Sequence, residues 1–259
     1  MKTQKYILIT ILSIIFILIF TACKTKPEQI VSSTPVSEKE KINPWDLLSE
    51  TDRLIYSISM PFFYANDLCP TTFSGIFDEN YIENETERNK INSTLEEKSK
   101  KLLNITANLD TKSKTKNYAL KLTSEGNNEE YYTLQHLYEL DTDKNFSTAQ
   151  KRKLQYALLY KDAFGKNPLK AWDYARFITC LRWGVGAKFF TENEARNYIN
   201  PVLEDIKKMY STWDEFMESF LRGAEFYDLK NENFPENSTR QKHTVQKIRA
   251  IIPLEKIKF

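Results

Sequence analysis

The sequence predicts an all-α protein. Only six of 259 residues are glycine, and runs that alternate β-branched with polar residues are scarce. Lys, Leu and Glu are the commonest residues instead, and apolar side chains recur three or four positions apart behind Ser or Thr caps. That spacing lines one face of a helix with a period of 3.6, and those caps hold its first free N–H groups. The expected architecture is a compact multi-helix domain over residues 44–259. A signal peptide (1–22) and a flexible tether (23–43) precede it.

The N-terminus sets the expected location. Lys2 and Lys5 precede an uncharged run from Tyr6 to Phe20, apolar except for Thr10 and Ser13 and followed by Thr21, Ala22 and Cys23. A positive end, a short apolar core and small residues make the layout of a secretory signal. The small residues before Cys23 resemble a bacterial lipobox, in which the signal is cut and the cysteine becomes the lipidated first residue. Fifteen residues at about 1.5 Å each reach roughly 22 Å, short of the ~30 Å hydrocarbon core. Counting Thr21 and Ala22 narrows the gap, and an uncleaved anchor would place the chain on the same side of the same membrane. From Lys24 to Asn43 the chain holds Pro27, Pro35, several Ser and Thr, and the run Glu38-Lys39-Glu40-Lys41. With little apolar surface to bury, it reads as a coil spanning on the order of 25 Å.

The first helix is expected from about Glu50 to Met60, with Leu54, Ile55 and Ile58 inward and Pro61 ending or kinking it. Cys69 to Asp78, rich in Pro, Thr, Ser and Gly, reads as loop. Residues 85–110 form an exposed amphipathic helix carrying Leu95, Leu102, Leu103 and Ile105. Residues 111–128 are polar around one short apolar group, Tyr118 to Leu122, and break at Gly126-Asn127-Asn128. Glu129 to Leu140 is a further helix with Tyr132, Leu134, Leu137, Tyr138 and Leu140 on its apolar side. Ser147 caps another, expected to run to Phe164 and stop at Gly165.

Residues 167–229 are the most strongly specified. Pro168 suits a first helical position, where its missing N–H costs nothing. Leu169, Trp172, Phe177, Ile178, Leu181 and Trp183 surround most of the following helix, which is therefore a buried one. Gly184 and Gly186 end it. Thr191-Glu192-Asn193-Glu194 is a capping box for a helix kinked at Pro201. Ser211-Thr212-Trp213-Asp214 starts another, in which Gly223 allows a close helix approach. Beyond a loop at Pro235, Lys242 to Ile252 suits a short basic amphipathic helix, with Val245, Ile248, Ile251 and Ile252 inward.

Several motifs in order carry a family resemblance. They are Ala171-Trp172-Asp173-Tyr174-Ala175-Arg176, Arg182-Trp183-Gly184, Thr191 to Ala195, Tyr210-Ser211-Thr212-Trp213 and Leu221-Arg222-Gly223. Together they resemble the bacterial domain of unknown function 1266 (DUF1266) family over about 60 residues. The Trp45–Asn66 helix resembles that family's leading helix, and residues 80–165 find no counterpart. Lys188-Phe189 stands where the family has Gly-Tyr, and Gly223-Ala224 where it has Gly-Arg. The resemblance implies an all-helical domain and no established activity.

The chain carries 37 basic and 35 acidic side chains, and loss of residues 1–22 removes two bases and no acid. A balanced charge argues against nucleic acid as a partner. The candidate chemistry is a polar cluster of Asp173, Arg176, Arg182 and Glu218 among tryptophans. Asp173 and Arg176, three apart, can meet on one helix face. Such a cluster either supports acid–base work or anion binding, or fixes helix docking as a buried ion pair, and the second reading is preferred. His136 and His243 lack neighbours at ligand spacing, and no nucleophile elbow or phosphate loop is present, so no catalytic residue, metal or cofactor is expected. Cys69 and Cys180 read as structural thiols, although an exported chain is able to pair them. The expected protein is a lipid-anchored lipoprotein, bound to the cell or outer membrane through Cys23 on the extracytoplasmic side. It would bind or scaffold an envelope protein partner. An envelope hydrolase using Asp173 and Arg176, and a toxin-system or immunity protein, are the alternatives.

Overall fold

The computed structural model describes residues 44–77, 82, 84–140, 145–231, 236–251, 254 and 257–259. Cys23, the signal region, the tether and the side chains of Ile251 and Ile252, expected to face inward, lie outside what the structure describes. After a 3-10 turn at Pro44–Leu47 come nine α-helices among the described residues. They are α1 (Glu50–Tyr64), α2 (Glu85–Ala107), α3 (Lys112–Ser124), α4 (Asn127–Glu139), α5 (Thr148–Leu159), α6 (Lys170–Gly186), α7 (Glu192–Met209), α8 (Trp213–Asp228) and α9 (Glu236–Ile251). No strand occurs among these residues, so the domain is all-α. No described helix is long and apolar enough to cross a membrane.

The organising element is α6. It packs against α1, α2, α3, α4, α7 and α8, while α5 sits on α4, and α9 on α8 and α1. Every α6 residue is buried except Arg176 and Val185, which are half-buried. This all-round apolar helix is therefore the core itself. Trp172, Phe177, Ile178 and Leu181 meet Leu54, Ile58 and Phe63 of α1, Leu103 of α2, Ile199 of α7 and Phe220 of α8 in one cluster. A smaller cluster joins Tyr131 and Leu134 of α4 to Leu154 of α5 and Phe226 of α8.

Local signals place most helix ends. Thr191 and Thr212 form capping boxes with Glu194 and Glu215, and Ser147 forms one with Gln150. Asn84 caps α2, and Asn108 closes it in the left-handed conformation (φ 54°). Within α2, Leu95, Leu102 and Leu103 face inward and Ile105 faces solvent.

Other boundaries differ from expectation, each for a physical reason. The first helix runs past Met60 to Tyr64 with Pro61 inside it, and Ala65 N–H donates to Pro61 O across 3.1 Å. Proline's φ suits the helix, and burying Phe63 offsets one missing hydrogen bond. Lys112–Ser124 is a helix where the sequence shows little pattern, because its buried residues are the small or short Thr115, Ala119 and Leu122. In α4 the inward residues are Tyr131, Leu134 and Gln135, while Tyr132, Tyr138 and Leu140 face out. The helix after Ser147 stops at Leu159 rather than Phe164; the chain turns at residues 160–163, and Tyr160 stacks on Phe164 at 4.7 Å. The last helix begins at Glu236, six residues before Lys242, with Val245 and Ile248 inward.

Helix α6 starts two residues after Pro168. Asn167 takes a left-handed φ of 56°, and Leu169, which has no capping side chain, is the cap. Its free N–H groups are met from elsewhere. Leu169 N–H donates to Asn128 Oδ1 (3.2 Å), and Ala171 N–H to Ser219 Oγ (3.2 Å). The helix ends at Gly186 as expected, though the left-handed residue is Lys188 (φ 62°). Gly223 answers its expected purpose: a Cβ there would overlap the Cβ of Trp172. Cys69 and Cys180 are both buried and unpaired.

Candidate functional site

Asp173, on the first turn of α6, is fully buried. Its carboxylate does not turn toward Arg176. Asn127 N–H donates to Oδ1 and Asn128 N–H to Oδ2, both at 2.9 Å. These two amides open α4, so an acid from a distant helix caps it where its positive end favours negative charge. Gly126 makes the approach possible, since a Cβ there would overlap the carboxyl group. Around this contact Asn127 Nδ2 donates to Gly223 O of α8 (3.2 Å), and Asn128 Nδ2 to Asn167 Oδ1 (3.3 Å). Lys170 Nζ reaches Thr123 O (2.8 Å) and Glu129 Oε1 (3.2 Å). Burial pushes the Asp173 carboxyl up to about 6, against the pull of the two backbone donors, Arg176 and Lys170.

Arg176 projects from α6 among aromatic rings. Its Cζ lies 5.7 Å from the Tyr118 centroid, 5.9 Å from that of Trp172 and 4.8 Å from that of Tyr227. Among the described residues its guanidinium makes one hydrogen bond, to the Tyr118 hydroxyl. Burial raises that phenol to about 12, so it keeps its proton. Cys180, near Arg176, is likewise raised to about 12 by burial and stays a thiol.

Arg182 lies elsewhere, completely buried between the rings of Tyr56 (4.5 Å) and Phe63 (3.7 Å). It has no acid partner among the described residues. It donates to Phe73 O (3.0 Å), Thr72 O (2.7 Å), Pro70 O (3.1 Å) and Ser59 Oγ (2.5 Å). Burial lowers it to about 9, and the four acceptors tie the 70–73 loop to α6 and α1. Glu218 is exposed and pairs with Arg222 at 2.5 Å.

The four residues read together from sequence are thus not one cluster. Asp173 is a capping group, Arg182 a loop clamp, Glu218 a surface partner, and Arg176 an aromatic-caged cation. The residues that complete these sites are Asn127, Asn128, Tyr118 and Tyr227. The sequence offered only a turn at Gly126-Asn127-Asn128 and an apolar position at Tyr118. Both histidines are exposed, and no group of three His, Cys, Asp or Glu side chains among the described residues is placed to hold a metal ion. A separate open groove of about 730 Å³ is lined by Trp213, Asp214, Arg249, Leu254, Ile257 and Phe259, among others. Arg249 pairs with Asp214 there at 2.7 Å, and Trp213 Nε1 donates to Ile257 O at 2.8 Å.

A family model described as "Protein of unknown function (DUF1266)" matches residues 82–253, more than half of the chain. The match takes in the 82–165 region for which the motifs find no counterpart, and begins after α1. No curated protein and no solved structure matches the chain.

Proposed function

The chain belongs to the DUF1266 family, and from that premise we propose that it is a lipid-anchored envelope lipoprotein whose helical domain acts by binding or scaffolding rather than by catalysis. The observation that carries the second half is the state of Asp173. Both of its oxygens are engaged by backbone donors of α4, and no part of the residue is exposed. A general acid or base needs a lone pair or proton directed at substrate. Asp173 spends one lone pair of each oxygen on a helix end, and burial closes the others to a substrate. The anchor rests on the sequence alone: a basic start, an apolar core, small residues and Cys23. The near-balanced charge leaves the lipid, rather than a basic patch, as the attachment.

Metabolic labelling with an alkyne fatty acid in a bacterial host tests the anchor. Label is expected on the wild-type chain and not on Cys23→Ser, which should also leave the membrane fraction. Equal labelling of both proteins would remove the anchor from this reading.

A further inference from the structure

Helix α6 is buried along its length and emerges only at Arg176 and Val185. Several other buried or half-buried cations have acids. Lys153 pairs with Glu130, Lys170 with Glu129, Arg196 with Asp52 and Arg222 with Glu218. Arg182 lacks one but meets four oxygen acceptors. Half-buried Arg152 and Lys116 also lack an acid among the described residues; Arg152 Nε donates to Leu229 O (2.8 Å), and Lys116 lies over the single ring of Tyr198. Arg176 is set apart by the three aromatic rings around its guanidinium. Among the described residues it pairs with no carboxylate, and its one acceptor is a phenol. A guanidinium offers five N–H donors, so four remain without a protein acceptor. Asp173, one turn away, is committed to α4. Tyr118 accepts from Arg176, and its own O–H is left to donate. Lys230, exposed and without an ion pair among the described residues, stands 3.5 Å from the centroid of the Tyr227 ring that Arg176 also faces. The group is rich in donors and positive charge, has no carboxylate among the described residues, and is walled by aromatic rings.

We propose that Arg176 and Tyr118 form a binding site for the oxyanion group, carboxylate or phosphate, of a small ligand. The guanidinium fork presents two parallel N–H groups, the geometry that both anions accept. The Tyr118 hydroxyl donates to the same group, Lys230 attracts it, and the rings of Tyr118 and Tyr227 cover whatever apolar part it carries. This deepens the binding reading above and rests on it, but not on the lipid anchor. Unchanged labelling of Cys23→Ser would remove the anchor and leave this site standing.

The test is a titration of the full chain in detergent with inorganic phosphate and, separately, with acetate, at constant ionic strength set by chloride. Melting temperature and equilibrium dialysis are the readouts. A saturable rise in melting temperature with at least one oxyanion supports the site, and which anion acts separates the two chemistries. Tyr118→Phe should weaken binding about tenfold, the equivalent of about 1.4 kcal/mol, and Arg176→Gln should abolish it with the helical circular dichroism retained. Should Arg176→Gln fail to fold, Arg176→Lys serves in its place: it keeps the charge, loses the fork and should bind at least several-fold more weakly. The proposal is overturned if neither anion exceeds chloride, or if Tyr118→Phe and the Arg176 variant bind as the wild type does.

Discussion

Replacing Asp173 by asparagine keeps the shape of the side chain and removes its charge, which isolates what the buried carboxyl does at the start of α4. The amide oxygen can still accept from one of the two backbone N–H groups now 2.9 Å from the carboxylate. The amide nitrogen must face the other, donor against donor. One lost bond costs about 1 kcal/mol, and a buried N–H left without an acceptor about 1–3 kcal/mol more. Ionisation adds a dependence on pH. The carboxyl is raised from 3.8 to about 6 on folding. Between these values the folded chain holds a proton that the unfolded chain has released, so wild-type stability falls as pH rises through this window. Linkage puts the fall from this one group at about 2 kcal/mol between pH 4.5 and 7.5. Asp173→Asn has no such term. It should therefore be about 2–4 kcal/mol less stable than wild type at pH 4.5, with the gap narrowing by about 2 kcal/mol at pH 7.5. Urea unfolding of both full-length proteins, followed by circular dichroism at 222 nm at the two pH values, measures the gap, and contributions from other carboxylates cancel in the difference. A gap that stays constant or widens as pH rises would refute the reasoning. It would mean that the helix end holds the anion better than burial disfavours it.

Three further outcomes follow from the packing. Gly223→Ala places a methyl group into the backbone-fixed Cβ of Trp172, so α6 and α8 must part; a loss of about 2–3 kcal/mol in urea unfolding is expected. Arg182→Met keeps the apolar stem but strips donors from Pro70, Thr72 and Phe73. It should lower stability by about 3 kcal/mol or more and open the 69–75 loop to limited proteolysis, so cleavage at the wild-type rate would count against the clamp. Glu218→Ala removes half of an exposed ion pair and should change stability by no more than about 0.5 kcal/mol.

The sequence was most legible where a signal is local. Thr191 with Glu194 begins α7 as its spacing demands, and Ser147 and Thr212 cap their helices within three residues of themselves. The buried character of α6 was equally plain, since apolar side chains occur all around it. Where the deciding partner lies far along the chain, the signal fails. Pro168 suggested a helix start that Asn128 and Ser219, some 40 and 50 residues away, instead set two positions later. Helix α3 hid because small residues let it lie close to α6 while adding little hydrophobic contrast. Asp173 and Arg176 were spaced to meet, but spacing cannot say which of several faces a neighbouring backbone will occupy.

What the sequence determined by itself is therefore the class of the fold, the buried central helix, the family and the expectation of an anchor at Cys23. Periodicity, capping and targeting signals are written in short stretches of chain. Only the tertiary structure decided the fate of the four polar residues. A buried charge must find compensation wherever packing brings a donor or acceptor, and that partner is set by how helices dock rather than by distance along the chain. Docking gave Asp173 to the start of α4, gave Arg182 to the 70–73 loop and left Glu218 in solvent. It left Arg176 in its aromatic cage, with donors to spare.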